Sequence, residues 1–123
     1  MAIIALILSG VSLSAIAQVV LKLGASDPNV QLLLAQKAPP THLLMTMAAN
    51  VYVWSGLGLY GLSALIWLLV LARADLSFAY PFVGIGFILT MLFGAAFFSE
   101  AVGPVRVLGT LFVVFGVILV SRT

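Results

Sequence analysis

The chain of 123 residues contains no cysteine and little charge: five Lys or Arg, three Asp or Glu, and one His. Without cysteine, disulfides, thiolate metal sites and cysteine nucleophiles are excluded. Charged residues make up 7% and hydrophobic residues 64%, whereas soluble domains have about 25% and about 45–50%. Because a chain this short cannot bury so much apolar surface in water, soluble enzymes, nucleic-acid-binding proteins and disordered tails are all disfavoured. The sequence therefore predicts that this protein is embedded in a lipid bilayer.

Motifs for catalysis and for cofactors are also missing. The single histidine, His42, lies in a predicted loop, and there is no HExxH motif, nucleophile–base pair or phosphate-binding loop. The net charge of +2 comes from scattered residues and forms no basic patch for nucleic acid. We therefore predict that the chain is not an enzyme and that it needs no metal and no cofactor.

What the sequence does contain is four long apolar stretches. A helix needs about 20 apolar residues to cross ~30 Å of hydrocarbon. The sequence predicts an all-α, integral membrane bundle of four transmembrane helices, a single domain over 1–123, with spans at about 2–21, 51–72, 76–98 and 105–120. Charged residues fall between these spans, as the cost of burying charge in lipid requires. The few Lys and Arg residues leave the orientation of the termini undetermined.

The first connection, 23–50, is long. Residues 29–37 are weakly amphipathic and form either a helix along the membrane interface or a partly ordered loop. A continuous helix from Thr41 to Arg73 would be ~50 Å long, which exceeds the bilayer. We therefore expect a break near Asn50 or a protruding helix end.

The first span carries a polar stripe. Gly10, Ser14, Gln18 and Lys22 recur at i, i+4 and share one helical face. In one interpretation the stripe holds helices together and Lys22 reaches the lipid head groups. In the other, it lines a cavity in which Lys22 binds an anionic head group. An amide such as Gln18 facing lipid would leave polar groups unsatisfied, so the stripe is expected to face inward.

The third span contains Tyr80-Pro81-Phe82, followed by Gly84 and Gly86. Pro81 favours a kink unless it lies in the first helical turn. The two glycines permit either close helix packing or a hinge that changes which side a cavity faces. In the hinge interpretation, Tyr80 and Phe82 are aromatic side chains of the cavity wall.

The fourth span and the turn before it add two further candidates. Gly109 and Gly116 are seven residues apart and lie nearly on one face, which favours a dimer contact over an internal one. Four helices enclose little space, so a transport cavity is expected to need two subunits. Glu100 and Arg106 have two interpretations from the sequence. In the first, they form an interfacial ion pair that contributes little energy. In the second, Arg106 alone binds phosphate.

Together these motifs resemble the small multidrug resistance transporters of the drug/metabolite transporter superfamily. The resemblance implies that Gly84 and Gly86 form a kink and that Gly109 and Gly116 form the dimer contact. The drug exporters carry a membrane-embedded glutamate eight residues before the lysine of the first span. Here that position is Ser14, so the proton carrier for cation export is missing.

A closer resemblance is to the lipid-linked sugar flippase branch, the ArnE/ArnF-type subunits. It rests on Ala17-Gln18 followed by Lys22, on the block 76–100 (LSFAYPFVGIGFILTMLFGAAFFSE) and on 102–120. It implies a flippase subunit of the bacterial inner membrane that moves an undecaprenyl-phosphate-linked sugar, such as aminoarabinose. The implied substrate-binding residues are Ser14, Gln18, Lys22, Tyr80, Phe82 and Arg106.

The partner and the function both leave alternatives open at this point. The second subunit is either another copy of the chain or a paralogous four-helix protein. A small drug or metabolite exporter of the same superfamily is the first alternative function. A membrane subunit that stabilises a partner without transporting anything is the second.

Overall fold

The computed structural model describes residues 2–123, and these residues form helices. Four helical segments are long and apolar enough to cross a bilayer, which confirms the predicted all-α bundle of four spans. The first span continues beyond its predicted end to Ala25, and the other three agree closely with prediction. The helices are α1 (Ala2–Ala25), α2 (Pro28–Ala35), α3 (Pro40–Ala48), α4 (Val51–Arg73), α5 (Leu76–Ala79), α6 (Val83–Phe97) and α7 (Pro104–Ser121).

Two short helices, α2 and α3, occupy the long first connection. The helical alternative for residues 29–37 is therefore the one observed, and Gln31 Nε2 ties α2 to the end of α1 by donating to Ala25 O at 2.8 Å. The expected break falls at Asn50, whose side chain accepts from the Tyr52 N–H at 2.8 Å and so caps α4. Asn50 is buried, and its amide also donates to Gly24 O at 3.3 Å. The cap thus joins the start of α4 to the end of α1.

The third span is helical throughout but changes character at Pro81. A single 3₁₀ turn, Tyr80–Phe82, joins α5 to α6. The Tyr80 N–H still donates to Leu76 O, Pro81 has no N–H to donate, and the Val83 N–H donates to Tyr80 O, three residues back. The helix therefore tightens to one 3₁₀ turn at Pro81, and the kink and the hinge role of Pro81 stay predictions.

Glycines allow α1 and α4 to pack closely along much of their length. A Cβ on Gly56 would lie 2.7 Å from Leu21 Cδ2, and one on Gly24 would lie 2.8 Å from Val53 Cγ2. These separations are shorter than van der Waals contact. The absence of a side chain therefore sets the spacing of the two helices, as is common in membrane bundles.

The apolar core lies toward the end of the bundle that carries both termini. All four spans contribute to it, and its buried members are Ile7, Val11, Val70, Ala79, Phe82 and Val117. Elsewhere most large apolar side chains are exposed, including Leu65 on α4 and Phe112 on α7. This distribution suits a bundle surrounded by lipid, where apolar side chains need no protein cover.

Candidate functional site

A cavity of about 700 Å³ lies between the first three spans. It follows α1 from Gly10 to Lys22, a distance of about 18 Å at 1.5 Å per residue. None of the residues 104–121, which form α7, is part of its wall. Its polar lining residues are Ser14, Gln18, Lys22, Tyr60, Ser63, Tyr80, Thr90 and Glu100.

The polar stripe of α1 forms one wall of this cavity. Ser14, Gln18 and Lys22 all line it, and Ser14 is half-buried while Gln18 is exposed to the cavity side. Within residues 2–123, neither Ser14 nor Gln18 makes a side-chain hydrogen bond to a neighbouring helix. The geometry therefore favours the cavity-wall interpretation of the stripe over the interpretation as a contact between helices.

Two opposite charges meet at one end of the cavity. Lys22 Nζ lies 3.6 Å from Glu100 Oε2, and both side chains remain about half exposed, at 51% and 42%. Because the pair is accessible to water, the attraction contributes little to folding. Both groups are therefore available to a charged ligand at this end of the cavity.

A turn after α6 places Glu100 beside Lys22. Ser99 adopts a left-handed backbone conformation with φ of 52°, and the Glu100 N–H donates to Gly94 O at 3.1 Å. The carboxylate then lies over Gly94, where a Cβ would collide with Glu100 Oε1. The glycine thus leaves the space that the carboxylate occupies.

The predicted ion pair between Glu100 and Arg106 is not observed among residues 2–123, because this turn directs Glu100 away from Arg106. Glu100 points back toward α1, whereas Arg106 Nη1 donates to Ala101 O at 3.1 Å on the outer side of the turn. Within residues 2–123 the pair formed by Glu100 is the one with Lys22. Arg106 is exposed and does not line the cavity, so its predicted contact with substrate has no support in the geometry.

Aromatic side chains form the other end of the cavity. Trp67 of α4 packs edge-on against Tyr80, with ring centroids 6.3 Å apart and planes at 72°. Tyr80 lines the cavity as predicted, but Phe82 does not: it is 3% exposed and belongs to the core. Residues two positions apart in a helical segment do not share a face, so Tyr80 and Phe82 cannot both face the cavity.

The residues of α4 that line the cavity were not predicted from the sequence. Tyr60, Ser63 and Trp67 line the cavity together, and Ser63 Oγ donates to Tyr60 O at 2.7 Å. Their spacing of three and four residues is that of one helical face. This pattern was available as a signal, because polar or amphipathic residues repeat at these positions within an otherwise apolar span.

The predicted hinge and dimer glycines occupy three different environments. A Cβ on Gly84 would collide with Val113 of α7, so this position packs α6 against α7. Gly86 lines the cavity, where a Cβ would lie 3.4 Å from Val11 Cγ1. A Cβ added at Gly109 or at Gly116 would meet nothing within 4 Å, so both glycines lie on open helix surface.

The cavity has a largely apolar wall that contains a minority of polar and charged side chains. It offers hydroxyl and amide groups along its length, one cation and one carboxylate at its end, and aromatic faces. Within residues 2–123, no group of three His, Cys, Asp or Glu residues is placed to hold a metal ion. Four membrane spans, three of which enclose a cavity with polar side chains in its wall, define a multi-pass membrane protein.

Comparison with known proteins narrows this class. The chain is 38% identical over 73 residues to a protein of Pseudomonas savastanoi pv. phaseolicola, a match covering 59% of this chain and 64% of that protein, just under two thirds. It is 40% identical over 75 residues to a Pseudomonas syringae pv. syringae protein, and this match covers 61% of this chain and 69% of that protein. It is 31% identical over 86 residues to a Pseudomonas fluorescens protein, and this match covers 70% of this chain and 75% of that protein.

All three relatives are named as probable 4-amino-4-deoxy-L-arabinose-phosphoundecaprenol flippase subunits ArnE. The chain belongs to this ArnE family of flippase subunits. Membership confirms the predicted family and the prediction that the chain is not an enzyme. No family model matches the chain, and no solved structure matches it.

Proposed function

We propose that this chain is a subunit of a flippase that moves a polyprenyl-phosphate-linked sugar of the aminoarabinose type across the bacterial inner membrane. The observation that carries the proposal is the polar wall of α1, which lines a cavity of about 700 Å³ and ends at Lys22. The relatives' names provide independent support, because each includes a sugar joined to phosphoundecaprenol.

The physical argument starts from the two halves of such a lipid. Its polyprenyl tail is at home in hydrocarbon, whereas each unsatisfied polar group of its head would cost several kcal/mol there. Hydroxyl and amide groups at Ser14 and Gln18 can replace water around the sugar as it crosses. Lys22 supplies the positive charge that a phosphate requires, and its half-exposed position allows the phosphate to enter from the interface.

The remaining roles follow from where the side chains lie. Tyr80 shapes the end of the path beside Trp67, and the Pro81 turn with Gly84 and Gly86 allows the third span to rock. Phe82 and Arg106 lie outside the cavity and take no part in the proposal. A cation exporter is less well supported, because Ser14 stands where such exporters carry glutamate and Glu100 lies at the cavity end.

We further propose that the working unit contains a second four-helix subunit, either another copy of this chain or a paralogous protein. The cavity is walled by three spans of this chain and has no wall from α7. A partner packed against Gly109 and Gly116 would complete the assembly on the open face of α7.

Charge substitutions at Lys22 test the function directly. In membrane vesicles from cells that make the protein, Lys22→Ala should slow flipping of an added polyprenyl-phosphate amino-sugar probe by about tenfold, because one charge-assisted contact is lost. Lys22→Glu should slow it further by repelling the phosphate. The measurement is the fraction of probe that becomes accessible in the opposite leaflet over time.

Lys37→Ala is the matched control, since Lys37 is also an exposed cation in the first connection region but does not line the cavity. It should flip the probe at the wild-type rate. Unchanged flipping in both Lys22 variants would remove Lys22 from the mechanism.

A further inference from the structure

The charged end of the cavity contains a carboxylate that a simple phosphate-binding site would not need. Glu100 lies 3.6 Å from Lys22, where it competes with any anion for the same ammonium group. A site selected only for phosphate binding would gain affinity by losing this acid. Its presence therefore points to a ligand that carries a positive charge as well as a negative one.

The position of Glu100 is built into the local structure. The carboxylate is directed to the cavity by the left-handed Ser99, by the Glu100 N–H bond to Gly94 O at 3.1 Å, and by the missing side chain at Gly94. A non-glycine residue with positive φ is uncommon because it strains the backbone. Three separate features thus place the half-exposed acid at the cavity end.

We infer that Glu100 selects for the amino group of the sugar: Lys22 receives the phosphate, and Glu100 receives the sugar ammonium. This inference rests on the proposed flippase function and deepens it. The names of the relatives include both an amino sugar and a phosphate, so a head group of both signs fits the chemistry of the family.

Selectivity follows from charge balance. When a zwitterionic head group enters, the ion pair between Lys22 and Glu100 opens, and each side chain regains an opposite charge from the ligand. When a lipid whose sugar lacks the amine enters, Lys22 binds its phosphate but Glu100 gains no counter-charge from the sugar, so this head group makes one charge-assisted contact fewer. The acid therefore favours head groups that carry the amine.

Binding of two matched lipids tests this inference. The probes are short-chain polyprenyl phosphates that carry either 4-amino-4-deoxyarabinose or arabinose, and the protein is the full chain in mild detergent, with any partner that copurifies. The wild type should bind the amino lipid about tenfold more tightly, the equivalent of one charge-assisted hydrogen bond. Glu100→Gln should abolish this preference and bind the arabinose lipid at least as well as the wild type.

Three further variants separate selectivity from loss of structure. Glu100→Asp should keep the preference for the amino lipid, because it keeps the charge. Asp75→Asn should behave as the wild type, because Asp75 lies at the opposite end of the bundle and does not line this cavity. Lys22→Gln should weaken the binding of both lipids to the same extent.

The outcomes distinguish this inference from the proposed function. If Glu100→Gln retains the preference, or loses both lipids together, Glu100 is not the selective residue although the flippase function stands. If the wild type binds both lipids equally, the inference is also wrong. If the wild type binds neither lipid, the proposed function itself fails.

Discussion

Single glycines in this chain have different physical roles that their sequence context does not distinguish. Gly84 allows contact between α6 and α7, Gly94 leaves space for a carboxylate, and Gly61 faces outward with nothing within 4 Å. The three are equally surrounded by apolar residues in the sequence. The same substitution should therefore have different consequences at each position.

Substitution of Gly84 by alanine should destabilise the bundle. The new Cβ would collide with Val113, a β-branched side chain with little rotamer freedom, and overpacking of this kind costs about 1–3 kcal/mol. The midpoint of thermal unfolding in detergent should fall. Gly61→Ala is the matched control and should leave the midpoint unchanged or slightly raised.

A double substitution provides a stricter test of the same contact. Adding Val113→Ala to Gly84→Ala removes the colliding methyl groups, so the two changes should be less harmful together than the sum of their separate effects. Strict additivity would show that Gly84 and Val113 do not interact.

The residues of the site differ in how far they could be predicted from sequence. The face shared by Ser14, Gln18 and Lys22 follows from helical periodicity alone, and the structure places all three on the cavity wall. The partner of Glu100 could not be predicted, because it depends on the left-handed conformation of a serine. The prediction that Phe82 lines the cavity was wrong, because the 3₁₀ turn places this residue on the core side of the third span.

At the scale of whole elements, the ends of the helices depend on a few polar side chains. Asn50 caps α4 through the Tyr52 N–H and also donates to Gly24 O and to Asp27 Oδ2, both at 3.3 Å. One buried amide thus connects the end of α1, the start of α2 and the start of α4. Its removal should affect all three elements.

Asn50→Ala should lower the free energy of unfolding by about 1–2 kcal/mol, the usual effect of losing a helix cap, and the lost donor bonds act in the same direction. The check is denaturation in detergent monitored by circular dichroism. Asn29→Ala serves as the control, because the Asn29 side chain is exposed and makes no such connection. Equal stability of the two variants would contradict the capping role.

The elements themselves were predictable to different degrees. Continuous apolar composition located the four spans. The excess length of a helix from Thr41 to Arg73 left two alternatives, a break near Asn50 or a protruding helix end, and the break is the one observed. The third span was harder, because whether Pro81 kinks a helix depends on the turns that precede it. Here α5 supplies one preceding turn, and the proline lies in the 3₁₀ turn that follows.

At the scale of the whole molecule, α7 stands apart from the cavity. It packs on α6 and on the 3₁₀ turn, and its Phe112 and Phe115 are exposed. Sequence alone could not show which three spans enclose the cavity, because all four have similar apolar composition and only packing decides it. The open surface at Gly109 and Gly116 is where the dimer prediction can be tested.

Because the chain has no cysteine, a single introduced cysteine reports one contact without background. Gly109→Cys and Gly116→Cys should each form a cross-linked dimer on mild oxidation in native membranes, if the partner is a second copy packed on this face. Leu65→Cys, on the outward surface of α4, should remain monomeric. Cross-linking at residue 65 alone would place the contact on α4.

The location of α7 outside the cavity also bears on how such a protein can change during evolution. A substitution on the outward face of α7 meets lipid or a neighbouring subunit, whereas one on the stripe of α1 changes the wall of the cavity in which we propose that the head group binds. None of the residues 104–121 lines the cavity. Choice of partner and choice of cargo can therefore diverge separately, so gene duplication can produce a new pairing while the cargo stays the same.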